Sequence, residues 1–159
     1  MRGKYMINSF RGKYFFLSNF YVRPIIYDGI LYLNNEAAFQ AQKCENYEDR
    51  KIFSLLNPKE AKKLGRHIDL RKDWEDIKIN IMKEIVLTKF EQHHDLAMKL
   101  IKTEDEELVE ENTWDDKIWG QVNGVGQNLL GKILMETRDI LKNKNNCINL
   151  LEEGNGYFI

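Results

Sequence analysis

The chain of 159 residues reads as an α+β protein, mostly α-helical, with a few short strands and a hairpin near its N-terminus. Three observations lead there. Asp28-Gly29 sits between two apolar runs, a strong signal for a tight hairpin turn. Two long segments, 74–90 and 129–141, carry apolar residues at helical spacing. Helix-start residues (Asn34 or Asn35, Asn57-Pro58, Asp73) stand ahead of three segments.

The elements follow in order. Residues 14–33 are rich in Tyr, Phe, Leu and Ile, so one strand precedes the turn and residues 30–33 form the other. Asn34 or Asn35 caps the first helix, and Glu36 falls in its first turn, where the helix dipole favours an ionised carboxylate. Asn57-Pro58-Lys59-Glu60 starts a second helix, which Gly65 ends. Asp73 caps a third, whose stripe is Trp74, Ile77, Ile81 and Ile85, widened by Met82, Val86 and Phe90. Residues 95–101 form a short helix. The acidic run 104–111 reads as a solvated edge with Leu108-Val109 as a short strand inside it. Residues 114–128 form a loop rich in glycine and aromatics. A final helix carries Leu129, Leu130, Ile133, Leu134, Ile140 and Leu141, Asn143 to Asn146 make a polar break, and the tail to Ile159 has no assignment.

Bulk composition bounds the function. The length suits one domain, residues 1–159. A 43% hydrophobic and 31% charged composition is ordinary for a globular protein. A net charge of −1 disfavours a general nucleic-acid binder, but a local groove still suits one phosphorylated ligand. No apolar run approaches the roughly 18 residues of a membrane span, and the N-terminus has no apolar signal region, so a cytoplasmic location is expected. Cys44 and Cys147 form no redox or metal spacing, and His67, His93 and His94 form no ligand set; no metal or cofactor is expected. Nothing in the sequence sets an oligomeric state.

Three segments compete as site material. In NNEAAFQAQK, residues 34–43, Glu36, Gln40 and Lys43 are spaced i, i+4, i+7 and would share a helix face, with Ala37, Ala38, Ala41 and Cys44 on other faces for close packing. In 114–128, Gly120, Gly124 and Gly126 allow close backbone approach to a ligand, and the following helix start offers N–H groups to an anion; the pattern is not a dinucleotide fingerprint. Asp116 and Trp119 sit beside these glycines, and the indole either stacks on a base or packs in the core. In FFLSNFY, residues 15–21, Asn19 either satisfies a turn or reads a ligand. Arg66 and Arg71 would suit a phosphate or a helix end.

The pieces FLSNFY (16–21), Asp28-Gly29, NEAAFQAQK (35–43), EAKKLGR (60–66), LRKDW (70–74), KFEQ (89–92), LVE (108–110), DKIWG (116–120) and GVGQNLLGKILMETR (124–138) occur in an order that resembles the NADAR, or YbiA-like, N-glycosidase family. The resemblance covers about residues 14–141, leaving 142–159 as a C-terminal tail. It implies hydrolysis of a bond between ribose C1′ and a base nitrogen. The implied partners are small ribosylated bases: phosphoribosylamino-pyrimidine intermediates of riboflavin synthesis, or ADP-ribosylated guanine in nucleic acid. By motif position it implies Glu36 as acid or base, Lys43 as the amine that forms a Schiff base with the opened ribose, and Asp116 and Trp119 as site residues. Asn19, Phe20, Gln40, Arg66, Trp74, Gly120, Gly126 and Asn128 complete the expected substrate contacts. Ala37 departs from the family pattern, which commonly has an aromatic residue or His there. The alternative function is a non-catalytic module that binds ADP-ribose or a related nucleotide.

Overall fold

The computed structural model describes residues 5–155, with side chains through residue 154; the end of the C-terminal tail, 156–159, lies outside the described residues. The chain forms β1 (Met6–Ile7), β2 (Val22–Tyr27), β3 (Ile30–Asn34), α1 (Asn35–Ala41), α2 (Tyr47–Arg50), α3 (Pro58–Gly65), α4 (Trp74–Gln92), α5 (His94–Ile101), β4 (Glu107–Leu108) and α6 (Leu129–Asn155). Short 3-10 helices at Gly12–Leu17 and Lys51–Phe53 were not expected from the sequence. The α+β, mostly helical class is what the sequence predicts.

The hairpin forms where the turn signal places it. Asp28 and Gly29 both take positive φ, 48° and 79°, as a two-residue turn matching strand twist requires. Tyr27 pairs with Ile30 and Ile25 with Tyr32, and the pairing shifts between Val22 and Ile25, next to Pro24, which cannot donate to a ladder. β1 pairs in parallel with β4, so the short 108–109 strand of the sequence reading finds its partner in the N-terminal segment.

The helices confirm most start signals and correct some. Asn34, not Asn35, caps α1: its side chain accepts the Ala37 N–H at 2.8 Å. Asn57 and Glu60 close a full capping box on α3. Asp73 makes no side-chain cap to α4, because Arg71 takes both its carboxylate oxygens at 2.7 and 3.1 Å. That ion pair also occupies the guanidinium expected to suit a phosphate. The polar break at 143–146 is absent, since α6 runs unbroken to Asn155. Asn and Lys cost a helix only a few tenths of a kcal/mol each, about 0.7 at most, and no Pro interrupts the run.

The core gathers Leu17, Ile25, Tyr32, Phe53, Ile85, Phe90, Leu100, Leu108 and Leu130, and α4 packs on α1, α6 and β2. All seven residues of α1 are buried. Its alanines 37, 38 and 41 are fully covered, and α3 lies against it. Lys89 of α4 is the most deeply buried charged residue among the described residues: it is 1% exposed, and its ammonium donates to the carbonyls of Phe16 at 2.5 Å and Ser18 at 3.2 Å. Burial, with Arg23 nearby, lowers its pKa to about 7, while the carbonyl dipoles favour the charged form. This contact ties the FFLSNFY segment to α4, the helix that packs on α1, α6 and β2.

Candidate active site

The start of α1, the FFLSNFY segment, α3 and the aromatic loop line a cavity of about 680 Å³, a size that suits a nucleotide-like ligand. Glu36, Glu110 and Asp116 supply its carboxylates. Lys59, Lys62 and Lys63 of α3, with its C-cap Arg66, supply cations, and Phe20, Trp114 and Trp119 supply aromatic faces.

Glu36 sits in the first turn of α1, 8% exposed. Its backbone N–H donates to the Asn19 carbonyl at 3.1 Å, which joins α1 to FFLSNFY. Its carboxylate accepts the Gln40 amide at 2.8 Å. Burial raises its pKa and Asp116 adds to the rise, while the Gln40 hydrogen bond, Lys62 and Lys43 oppose it. Asn19 is also buried in the lining, accepting from Asn35 at 3.3 Å and donating to the Met82 sulfur at 3.4 Å.

The cations lie on one stripe of α3. Residues 59, 62, 63 and 66 are spaced i, i+3, i+4, i+7, so they share a face. None of the four forms an ion pair among the described residues. The Lys62 ammonium lies 5.6 Å from the Phe20 ring centre and 5.4 Å from that of Trp114.

Asp116 is fixed by the loop around it. Its carboxylate accepts the N–H groups of Ile118 and Trp119 at 3.0 and 2.9 Å, and buried Asn112 bonds both its backbone N–H and its carbonyl. Trp119 is half-buried, with one side against Phe39, edge-on at 5.4 Å, and part of its surface in the cavity.

The cavity thus brings together Glu36, Asp116, Asn19, Phe20, Arg66 and Trp119. The remaining expected site residues lie elsewhere. Lys43 is past the end of α1, which stops at Ala41, so the shared helix face does not extend to it. Its ammonium is half-buried, 3.5 Å from the Gly65 carbonyl, and outside the cavity lining. Burial lowers its pKa, Arg66 and Lys78 add to the drop, and Glu36 opposes it. Gln40 acts behind Glu36, packed so tightly on Gly65 that a Cβ there would fall 1.9 Å from its amide oxygen. Trp74 is core, 5.1 Å from Phe39. Gly120 and Gly126 leave room for the protein's own backbone: a Cβ on Gly120 would meet the Glu110 carbonyl at 2.2 Å, and one on Gly126 the Gly120 carbonyl at 2.5 Å. Asn128, at φ 51°, bonds the Glu110 N–H and the Leu108 carbonyl. The first N–H groups of α6 are taken by the carbonyls of Ile118 and Trp119, so this helix start offers no anion site.

The sequence reading missed Glu110, the lysines of α3, Trp114, Arg11 and Phe10. The α3 stripe was visible as a helical spacing of cations. Glu110 carried no comparable signal, because the groups around its carboxyl, Glu36, Lys62 and Asp116, come from other elements. Among the described residues no group of three or more His, Cys, Asp or Glu side chains could hold a metal ion.

A comparison with known proteins settles the lineage. The NADAR domain model matches residues 6–142. The chain belongs to the NADAR family. It is 42% identical over 129 residues to the N-glycosidase YbiA of Shigella flexneri serotype 5b (strain 8401), covering 78% of this chain and 79% of that protein. The N-glycosidase YbiA of Escherichia coli (strain K12) is 40% identical over the same coverage. A riboflavin biosynthesis protein of Vibrio vulnificus (strain YJ016) is 37% identical over 80% of this chain and 35% of its own length. The NMR structure of the E. coli protein YbiA superposes with a TM-score of 0.80 at 36% identity, covering 91% of this chain and 89% of that one. Among the described residues, no helix of this NADAR protein is long and apolar enough to cross a membrane.

Proposed function

We propose that this cavity cleaves the bond between a ribose C1′ and a base nitrogen. The chain is an enzyme, a hydrolase of N-glycosyl compounds, as are the relatives named N-glycosidase at 42% and 40% identity. The finer reading concerns substrate and mechanism. The substrate is a phosphorylated ribosyl base, either ADP-ribosylated guanine or a phosphoribosylamino-pyrimidine of riboflavin synthesis.

One observation carries this reading: a buried carboxylate, Glu36, in a cavity also lined by four cations that form no ion pair among the described residues. Breaking the glycosidic bond places positive charge on C1′ and the ring oxygen, and a fixed carboxylate stabilises that charge. The α3 cations suit the phosphate, and Phe20, Trp114 or Trp119 suits the base. Lys43 is the proposed amine. An amine attacks only when neutral, and the lowered pKa of Lys43, with no ion pair to Glu36 among the described residues, supports that state. Its single weak contact to Gly65 leaves it free to turn toward the ribose.

Mass spectrometry of products from a panel of ribosylated bases tests the proposal. The wild type should release free base, Glu36→Gln should lose about 10³-fold in rate, and a borohydride-trapped adduct should vanish in Lys43→Ala. Saturable calorimetric binding without any released base would sink it in favour of a binding module.

A further inference from the structure

Glu110 has a carboxyl group with no task in the fold. Its main chain is fully engaged: the N–H donates to Asn128 at 3.0 Å, and the carbonyl accepts the Gln121 N–H at 2.9 Å. The side chain differs. It lines the cavity, and its Oε2 is buried without a hydrogen-bond partner. A buried polar atom left unpaired costs stability, and native proteins rarely keep one without use.

The charged groups around it come from every wall. Glu36 faces it from α1, Asp116 from the aromatic loop and Lys62 from α3, while Arg11 lines the same cavity from the N-terminal segment. Three carboxylates in one shielded space cannot all stay ionised. Burial, then Asp116 and Glu36, push Glu110 up to about 8, and Lys62 only partly opposes them. Glu36 is also raised, but the Gln40 amide donates to it and favours its ionised form, a bond that Glu110 lacks. Two carboxyls whose surroundings divide them in this way split into an acid and a base.

We propose that Glu110 is the general acid that gives its Oε2 proton to the departing base. This rests on the N-glycosidase reading. As the C1′–N bond breaks, its electron pair passes to the base nitrogen, and the Glu110 proton goes to the base. The Lys43 amine bonds to C1′ and passes a proton to Glu36, and water then hydrolyses the sugar–lysine bond and frees the amine. Transfer of that proton from Glu36 to Glu110 restores the starting state, and the sum is substrate plus water giving sugar and the neutral free base.

The test compares two leaving groups in the same protein. The first probe is a phosphoribosylamino-pyrimidine, whose base needs a proton to leave. The second is nicotinamide mononucleotide, whose base leaves neutral without one. Glu110→Gln should lose about 10²–10⁴-fold in kcat on the first probe, at least tenfold more than on the second. Glu36→Gln should slow both alike. The wild-type rate on the first probe should fall above pH 8, a limb that Glu110→Gln removes. The ratio between probes is independent of how much variant folds. Equal losses on both probes, with an active wild type, overturn the acid role alone. A wild type that cleaves neither probe, nor ADP-ribosylated guanine, overturns the N-glycosidase reading and the acid role with it.

Discussion

Helices α1 and α3 lie against each other and serve the cavity in opposite ways. α1 is buried along all seven of its residues, whereas α3 buries only Pro58, Ala61 and Gly65. An isolated segment of that length does not hold a helix in water, so α1 exists through its packing and its Asn34 cap. α3 brings its own capping box. The chemistry follows the same division. Glu36 on α1 is a carboxylate whose proton affinity is set by loss of water. The α3 cations keep their water and act as a field across the cavity. Burial thus tunes reactivity on one helix, while exposure gathers charge on the other.

The seam between them is the place to break this contrast. In Gly65→Ala the new Cβ would collide with the Gln40 amide, which must then leave Glu36. Overpacking of this kind costs about 1–3 kcal/mol, readable by urea denaturation, and kcat should fall at least tenfold. A variant with wild-type stability and rate would show that the seam is not tight. A smaller effect should follow from Lys59→Gln with Lys63→Gln. Steady-state kinetics should show KM for a phosphorylated substrate rising about tenfold, more than kcat falls, with a weaker dependence on salt. The smallest effect per step is in pH. The folded pKa of Glu110 lies above its ordinary 4.5, so between pH 4.5 and about 8 the folded state binds more protons than the unfolded one. Stability from this group is therefore full at the acid end and lost as pH rises through that window. Glu36 acts in the same direction. Denaturation of Glu110→Gln across the same range should show a flatter slope.

Much of this was legible in the sequence. The hairpin, α1, α3 and α4 each carried a local cause: a turn dipeptide, a cap, a capping box, an apolar stripe. Glu36, Asn19, Asp116 and Trp119 stood out as polar or aromatic residues in ordered motifs. What was not legible depended on where chain segments meet. Trp74 and Trp119 are the same residue type, and both touch Phe39, yet only Trp119 reaches the cavity. Lys43 was misplaced because α1 ends without a glycine or proline to announce it. Gly120 and Gly126 were read as room for a ligand, and the room is filled by backbone. The acidic run is the exposed edge the sequence suggests at Glu104, Asp105 and Glu107, and no local pattern sets apart Glu110, whose Oε2 is buried near Glu36, Asp116 and Lys62.

Lys89 gives the cavity unequal sides. Its ammonium clamps the segment bearing Asn19 and Phe20 to the middle of the protein, so that jaw inherits the stiffness of α4. The opposing jaw ends in Trp114, half in solvent and followed by Asp115 at φ 63°. Admitting a bulky guest is therefore cheaper by yielding on the Trp114 side, and variation among substrates should be accommodated there while the clamped jaw stays still.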